Sequence, residues 1–155
     1  MTTDPKAMAA TEATKPLSGP EMLERAMQGF QAFEQGNYEN ARAIFQDLAD
    51  RDQAEGYYRT ALGAVALAVD DLDGALAHLD EALRLNPQDN AALVNRGEVH
   101  LRLGNILQGA KDFARAVELD PEDKDPLTAR ARVLAAAALQ SAEEAQRDSG
   151  GGTEG

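Results

Sequence analysis

The sequence predicts an all-α fold: a superhelical array of three helical hairpins closed by a C-terminal capping helix. Three observations predict it. A frame of 34 residues recurs, shared by Gly29, Gly63 and Gly97, by Ala41, Ala75 and Gly109, and by Phe45, Leu79 and Phe113. Each frame holds two stretches with apolar residues at helical spacing, separated by a turn at Gly36, Asp70 or Gly104. The frames end at Gln53, Pro87 and Pro121, two of them prolines, and a proline cannot continue a helix. A period of this length is the mark of stacked helical units, each too small to bury its own apolar face.

Residues 1–19 are rich in Thr, Ala, Pro and charge and show no helical period, so they read as a disordered leader. The repeat domain then covers 20–146, with repeats at about 22–55, 56–89 and 90–123 and the capping helix at 126–146. Ser18 and Glu21 have capping-box spacing and Pro20 is tolerated in a first turn, so the first helix opens there and runs to about residue 35. Leu23, Ala26, Met27, Phe30 and Phe33 share one face of it. After Gly36-Asn37 a second helix over 38–51 packs through Ala41, Ile44, Phe45 and Leu48. The second hairpin spans 57–69 and 72–85. Its turn is Asp70-Asp71, and Asp tolerates left-handed backbone better than most residues. The third hairpin spans 90–103 and 106–119, around Gly104-Asn105. Gly109 stands where Ala is expected and should cost about 1 kcal/mol of helix stability unless close packing offsets it. The stretch PLTARARVLAAAALQSAEEAQ has no turn and no partner helix, as a terminal cap would. Residues 147–155 read as a flexible tail.

The chain has 155 residues and a formal net charge of −12, with 43% hydrophobic and 5% aromatic residues. That charge disfavours nucleic acid and anionic membrane surfaces, which need Lys and Arg. With no Cys, disulfides and thiolate metal sites are excluded. No apolar run approaches about 18 residues and no apolar signal core is present, so a cytoplasmic protein is expected. Catalytic chemistry finds no foothold. His78 and His100 lie on different hairpins, and neither has a ligand companion one turn away. The glycines at 150–152 precede no helix, so they cradle no phosphate. The neighbouring carboxylates Asp70-Asp71, Asp80-Glu81 and Glu143-Glu144 read as solvated faces and helix starts. No enzyme activity, metal or cofactor is expected.

The expected function lies in a concave groove lined by the first helices. Counting the repeats from Met22, Gly56 and Asn90, positions two, five, nine and twelve should line it. These are Leu23, Ala26, Phe30 and Phe33, then Tyr57, Thr60, Ala64 and Leu67, then Ala91, Val94, Glu98 and Leu101. Of the twelve only Glu98 is charged. Tyr38 should add to the aromatic end, and Tyr58 lies close by or in the inter-helix core. Phe30 and Phe33 have a competing reading as packing between helices. Such a trough suits an extended segment whose side chains fill pockets, or an amphipathic helix.

Over about 22–121 the frames resemble tetratricopeptide repeats. More closely, the chain resembles the class II translocator chaperones of bacterial type III secretion. The segment LERAMQGFQAFEQGNYENARAIFQDLADRD carries the likeness to their first repeat through Phe30, Phe33, Tyr38, Ala41, Phe45 and Leu48. YYRTALGAVALAVDDLDGA is similar to their second, and the run 125–136 to their closing helix. Ala26 stands where an aromatic is often seen, and the third repeat is generic. The resemblance implies a cytoplasmic chaperone, commonly dimeric, that holds a translocator subunit before export. A short proline-containing client segment would lie against Phe30, Phe33, Tyr38, Tyr57, Thr60, Ala64 and Leu67. The alternative is a general scaffold joining two cytoplasmic proteins. A clamp for a C-terminal carboxylate is disfavoured, because Ala26 and Phe30 are neither cationic nor amides.

Overall fold

Residues 15–151 are described by a computed structural model, and they form seven helices and no strand. α1 (Gly19–Glu34) and α2 (Tyr38–Arg51) make the first hairpin, α3 (Gly56–Ala68) and α4 (Leu72–Leu85) the second, and α5 (Asn90–Arg102) and α6 (Ile106–Leu119) the third. α7 (Pro126–Gly150) closes the array. The chain divides after Asp52 into two compact units, the first hairpin and the remainder.

Each hairpin is built on one close approach. A Cβ added to Gly29 would stand 2.9 Å from the Phe45 ring; at Gly63 it would stand 2.5 Å from Leu79 Cγ, and at Gly97 2.5 Å from the Phe113 ring. Two of the repeating columns are therefore the two sides of one contact. Phe45, Leu79 and Phe113 are essentially inaccessible, as are Ala41 and Ala75 beside them. At Gly109 a Cβ would meet the Gly97 carbonyl at 2.9 Å, so the glycine's cost to α6 is offset by backbone contact with α5.

The three turns share one geometry. Gly36, Asp70 and Gly104 all take left-handed backbone, with φ of 74°, 62° and 83°. In each, the next amide reaches back five residues: Asn37 to the Ala32 carbonyl, Asp71 to Ala66 and Asn105 to His100, at 2.8–2.9 Å. These are Schellman closures. The same following residue then starts the second helix: the Asn37 side chain accepts from the Asn40 amide, and Asp71 from Gly74. Asp70 takes the strained conformation that glycine takes elsewhere at no steric cost.

In the first unit Ser18 caps α1, accepting from the Glu21 amide at 3.3 Å while its hydroxyl donates to the Glu21 carboxylate. Asp47 accepts from both Arg25 and Arg51, tying α1 to α2. The leader expected over 1–19 falls mostly outside the described residues. Lys15 lies within them, and its carbonyl accepts from Arg51.

In the second unit the core runs through Leu79, Leu83, Leu93, Val94, Val99, Phe113 and Ala131. Arg96 on α5 holds Asp112 on α6 through two 2.8 Å bonds and reaches Asp80 on α4 at 3.1 Å. One carboxylate, Asp89, caps α5 through the Ala92 amide and accepts the Thr60 hydroxyl from α3 at 2.6 Å. The start of α7 is fixed alike: the fully buried Thr128 donates to Asp120 at 2.6 Å and accepts from Asn90 at 2.7 Å. α7 ends at Gly150 rather than at 146, so part of the expected tail is helical. The Gly151 amide still closes on the Arg147 carbonyl, and Ser149 on that of Gln146. The tail residues 152–155 lie outside the described residues.

Gly63→Ala should lower stability by about 1–3 kcal/mol through overpacking against Leu79, despite alanine's better helix propensity. Denaturant melts of the double-mutant cycle should show that most of this cost vanishes in a Leu79→Ala background.

The bonds from Thr128, then from the Asp125 and Lys124 amides, hold the Asp120 carboxyl below the usual carboxylate range. A depressed carboxylate contributes stability above its unfolded value of about 3.9 and loses it as pH falls through the folded value. Thermal melts through that acid range should therefore decline less steeply for Asp120→Asn than for the native chain.

Candidate functional site

The crossing glycines decide which way each first helix faces. Position eight carries the glycine. At about 100° per residue, positions five and twelve lie on its side of the helix, while two, six, nine and thirteen form a separate face. Position five is accordingly buried throughout: Ala26 at 8%, Thr60 at 6% and Val94 at 0% exposed. These three were expected on the groove and belong to the packing face instead. Thr60 spends its hydroxyl on Asp89, and Val94 lies in the core. At position twelve Leu67 is buried in the core, Leu101 packs against that core half-buried, and Phe33 is half-buried.

On α1 the uncovered face is Leu23, Met27 and Phe30, at 63%, 64% and 48% exposure. Met27 is the residue that the expected set omits, although its place at i+4 from Leu23 and i−3 from Phe30 was available as a signal. Phe33 meets the Tyr38 ring edge-on, with centroids 5.5 Å apart, at the turn end of this hairpin.

In the second unit α3, α5 and α7 pack side by side. The corresponding face begins with Tyr57, 42% exposed and edge-on to the buried Tyr58 at 5.9 Å. Burial, and secondarily Tyr58, raises the Tyr57 phenol above its usual value, so it stays protonated at neutral pH. Ala61, Ala64 and Ala68 follow as a shallow wall of methyl groups. On α5 the same line reads Ala91, Asn95, Glu98 and Arg102, which is polar. The Glu98 carboxylate is buried between Arg102 on α5 and Arg130 on α7, each 2.9 Å away. The wall thus passes from an aromatic and methyl surface to an ionic one.

Among the described residues no group of three or more His, Asp or Glu side chains could hold a metal ion. His78 sits on α4, off this wall; burial, then Arg59, lowers its imidazole pKa, with Asp71 opposing. Among those residues no helix is long and apolar enough to cross a membrane.

One tetratricopeptide repeat profile matches residues 62–141 and a second matches 27–90. Superkiller protein 3 of Schizosaccharomyces pombe is 34% identical over 73 residues, which is 47% of this chain and 5% of that protein. The Hsp70-Hsp90 organizing protein of Triticum aestivum is 40% identical over 47 residues, 30% of this chain and 8% of that protein. The chain therefore spans a small part of these relatives. Among solved structures, PcrH in complex with the chaperone binding region of PopD superposes with a TM-score of 0.76 at 23% identity, covering 83% of this chain and 98% of that one. The type III secretion translocator chaperone SycD of Yersinia enterocolitica gives 0.75 at 21%, covering 92% and 97%. The first repeat domain of Spaghetti (RPAP3), bound to the HSP90 peptide SRMEEVD, gives 0.73 at 20%, covering 82% and 97%. At these identities the likeness is one of fold.

Thr60→Val keeps the side-chain volume and removes the hydroxyl that Asp89 accepts. Stability to denaturant should fall by about 1.5–3 kcal/mol, as for a lost hydrogen bond to a charged group. Met27→Gln, on the open face, should stay within about 0.5 kcal/mol of the native chain in the same melts.

Proposed function

The chain belongs to the tetratricopeptide repeat family, and from that premise we propose that it is a holding chaperone. It keeps an aggregation-prone client of the type III secretion translocator class soluble in the cytoplasm before export. The single observation that carries this reading is the uncovered row Leu23, Met27 and Phe30. Three large apolar side chains stand in line on a first helix, where a solvated surface would carry charge. Covering such side chains yields about 1.5–3 kcal/mol each before the cost of ordering the client. Their spacing along one helix suits an extended segment with apolar side chains on one edge. Met27 adds a flexible surface that adapts to different client side chains. The bound segment in the PcrH–PopD structure supports the same reading, since that chaperone shares the fold.

A second reading is a cytoplasmic adaptor for a polar peptide. It is favoured by the α5 wall, where Asn95 and the Glu98–Arg102–Arg130 group offer hydrogen bonds and charge in place of apolar contact. The two readings separate by salt. Ionic recognition weakens as salt screens the exposed arginines, whereas apolar capture does not.

Co-expression with a translocator subunit should leave the client soluble and co-purifying, and complex formation should be insensitive to salt. Phe30→Ala should weaken the complex about tenfold or more, with melting temperature and helical signal unchanged. Tyr57→Arg should do likewise for a client that reaches the second unit's wall. A client that stays insoluble with the native chain ends the chaperone reading, and unfolding of Phe30→Ala would place that ring in the core.

A further inference from the structure

Arg84 and Arg115 have no cationic counterpart in the repeat frame. One frame before and after Arg84 stand Asp50 and Glu118, and around Arg115 stand Glu81 and Ser149. The frame therefore folds without a cation at either place. The structure brings the two arginines to one groove. α4 and α6 both pack on α5, and a groove of about 380 Å³ lies between them, with Arg84 contributed by α4 and Arg115 by α6. Leu83 and Leu93, 8% and 4% exposed, give it an apolar floor, with Pro87 beside them. The groove faces away from the wall on α3 and α5. Its α5 residues, Leu93 and Arg96, are positions four and seven, roughly 160° around the helix from positions two, six, nine and thirteen.

Arg96 reaches both sides of this groove from α5, and its three nitrogens are all spent, two on Asp112 and one on Asp80. The two carboxylates of the groove are thus already matched. Arg84 and Arg115 are held differently. Among the described residues each bonds only a glutamate three residues away on its own helix, Glu81 or Glu118, and neither glutamate lines the groove. Exposed pairs of this kind exchange at little cost, because water and salt screen them. Arg84 keeps Nη1 unbonded and Arg115 keeps Nε and Nη2, on side chains 67% and 48% exposed.

We propose that this groove binds an acidic segment of a second protein. One apolar side chain of that segment sits on Leu83 and Leu93, with a carboxylate against Arg84 and another against Arg115. Charge selects the occupant: the side chains with donors to spare are cations, so a basic segment meets repulsion and an uncharged one leaves both guanidiniums unused. A nucleic-acid backbone would contact the arginines alone and leave the leucines uncovered. The groove shares no residue with the row on α1 or the wall on α3 and α5, so this partner and a client bind the chain together.

The probe is a labelled pentapeptide of one leucine flanked on each side by two glutamates, titrated with the full chain in fluorescence anisotropy at low salt. It should bind, and about 0.5 M salt should weaken it about tenfold. Arg84→Glu and Arg115→Glu should each weaken it about tenfold or more, with helical signal and melting temperature unchanged. Arg42→Glu makes the same change of charge on α2, exposed and outside the groove, and should leave binding at the native value. A peptide with glycine in place of the leucine should bind about tenfold more weakly. Four results would overturn the proposal: no binding to the native chain, an equal loss from Arg42→Glu, equal binding of the glycine peptide, or displacement of the peptide by a single-stranded oligonucleotide at the same concentration. The last would make phosphate the ligand.

Discussion

Two helices crossing at the width of a glycine constrain the rest of this chain. With a Cβ at Gly29, Gly63 or Gly97, the ring or branched side chain opposite would have to move by several tenths of an ångström at least. The partner is Phe45, Leu79 or Phe113, and none has free space to move into, since each is at most 1% exposed. Native interiors are close-packed, so such a displacement spreads through its neighbours. The crossing therefore does more than join a pair of helices. It sets the rotation of each first helix about its own axis, and that rotation decides which side chains remain outside. Leu23, Met27 and Phe30 are exposed because Ala26, Gly29 and Phe33 face the crossing.

The acidic excess has a structural role that charge alone does not suggest. Many of the carboxylates sit at helix starts. Asp71, Asp89, Asp125 and Glu55 each accept an amide of the helix they precede. There a negative group both fills an unpaired donor and faces the positive end of the helix dipole. Asp89 and Asp120 go further and accept a threonine hydroxyl from a neighbouring helix, at 2.6 Å in both cases. Thr60 and Thr128 occupy the same frame position two repeats apart, but Thr60 reaches a carboxylate that follows it in the chain and Thr128 one that precedes it. The exposed pairs, such as Arg84 with Glu81, add little, because solvent and salt screen them. The Arg96–Asp112 and Glu98–Arg130 contacts instead place a buried carboxylate against a partly exposed arginine, and they link α6 and α7 to α5.

Much of this was legible in the sequence because it is periodic. The left-handed turns could be read from Gly36, Asp70 and Gly104, and the helix limits from their flanking Asn and Asp residues, since both rest on local backbone chemistry. The cost of Gly109 was legible, but its compensation was not, because the Gly97 carbonyl it meets belongs to another helix. The exposed faces were misplaced by part of a turn: Ala26, Thr60 and Val94 were expected outside and are buried, and the exposed Met27 was left out of the expected set. Apolar spacing alone does not separate two adjacent apolar faces of one helix. The glycine column separates them, once its role as the crossing point is known. The end of α7 was missed for a different reason. Ser149 and Gly150 are weak helix formers, and a helix that is already long extends through them at little cost, because nucleation has been met upstream.

The first helices also differ in what they offer, and the difference bears on specificity. α1 presents Leu, Met and Phe, α3 a tyrosine and methyl groups, and α5 an amide and an ion pair. Large apolar side chains capture many sequences, since one methylene more or less changes affinity by only about 1 kcal/mol. A buried carboxylate held between two arginines discriminates more sharply. A client group that disturbs Glu98 without replacing its bonds leaves charge unpaired at a cost of several kcal/mol. The apolar row of α1 suits capture with little regard to sequence, and the ionic wall of α5 suits discrimination by what it rejects. A holding chaperone needs the first. The frame allows such differences because the crossing positions stay fixed while the outward positions vary from repeat to repeat.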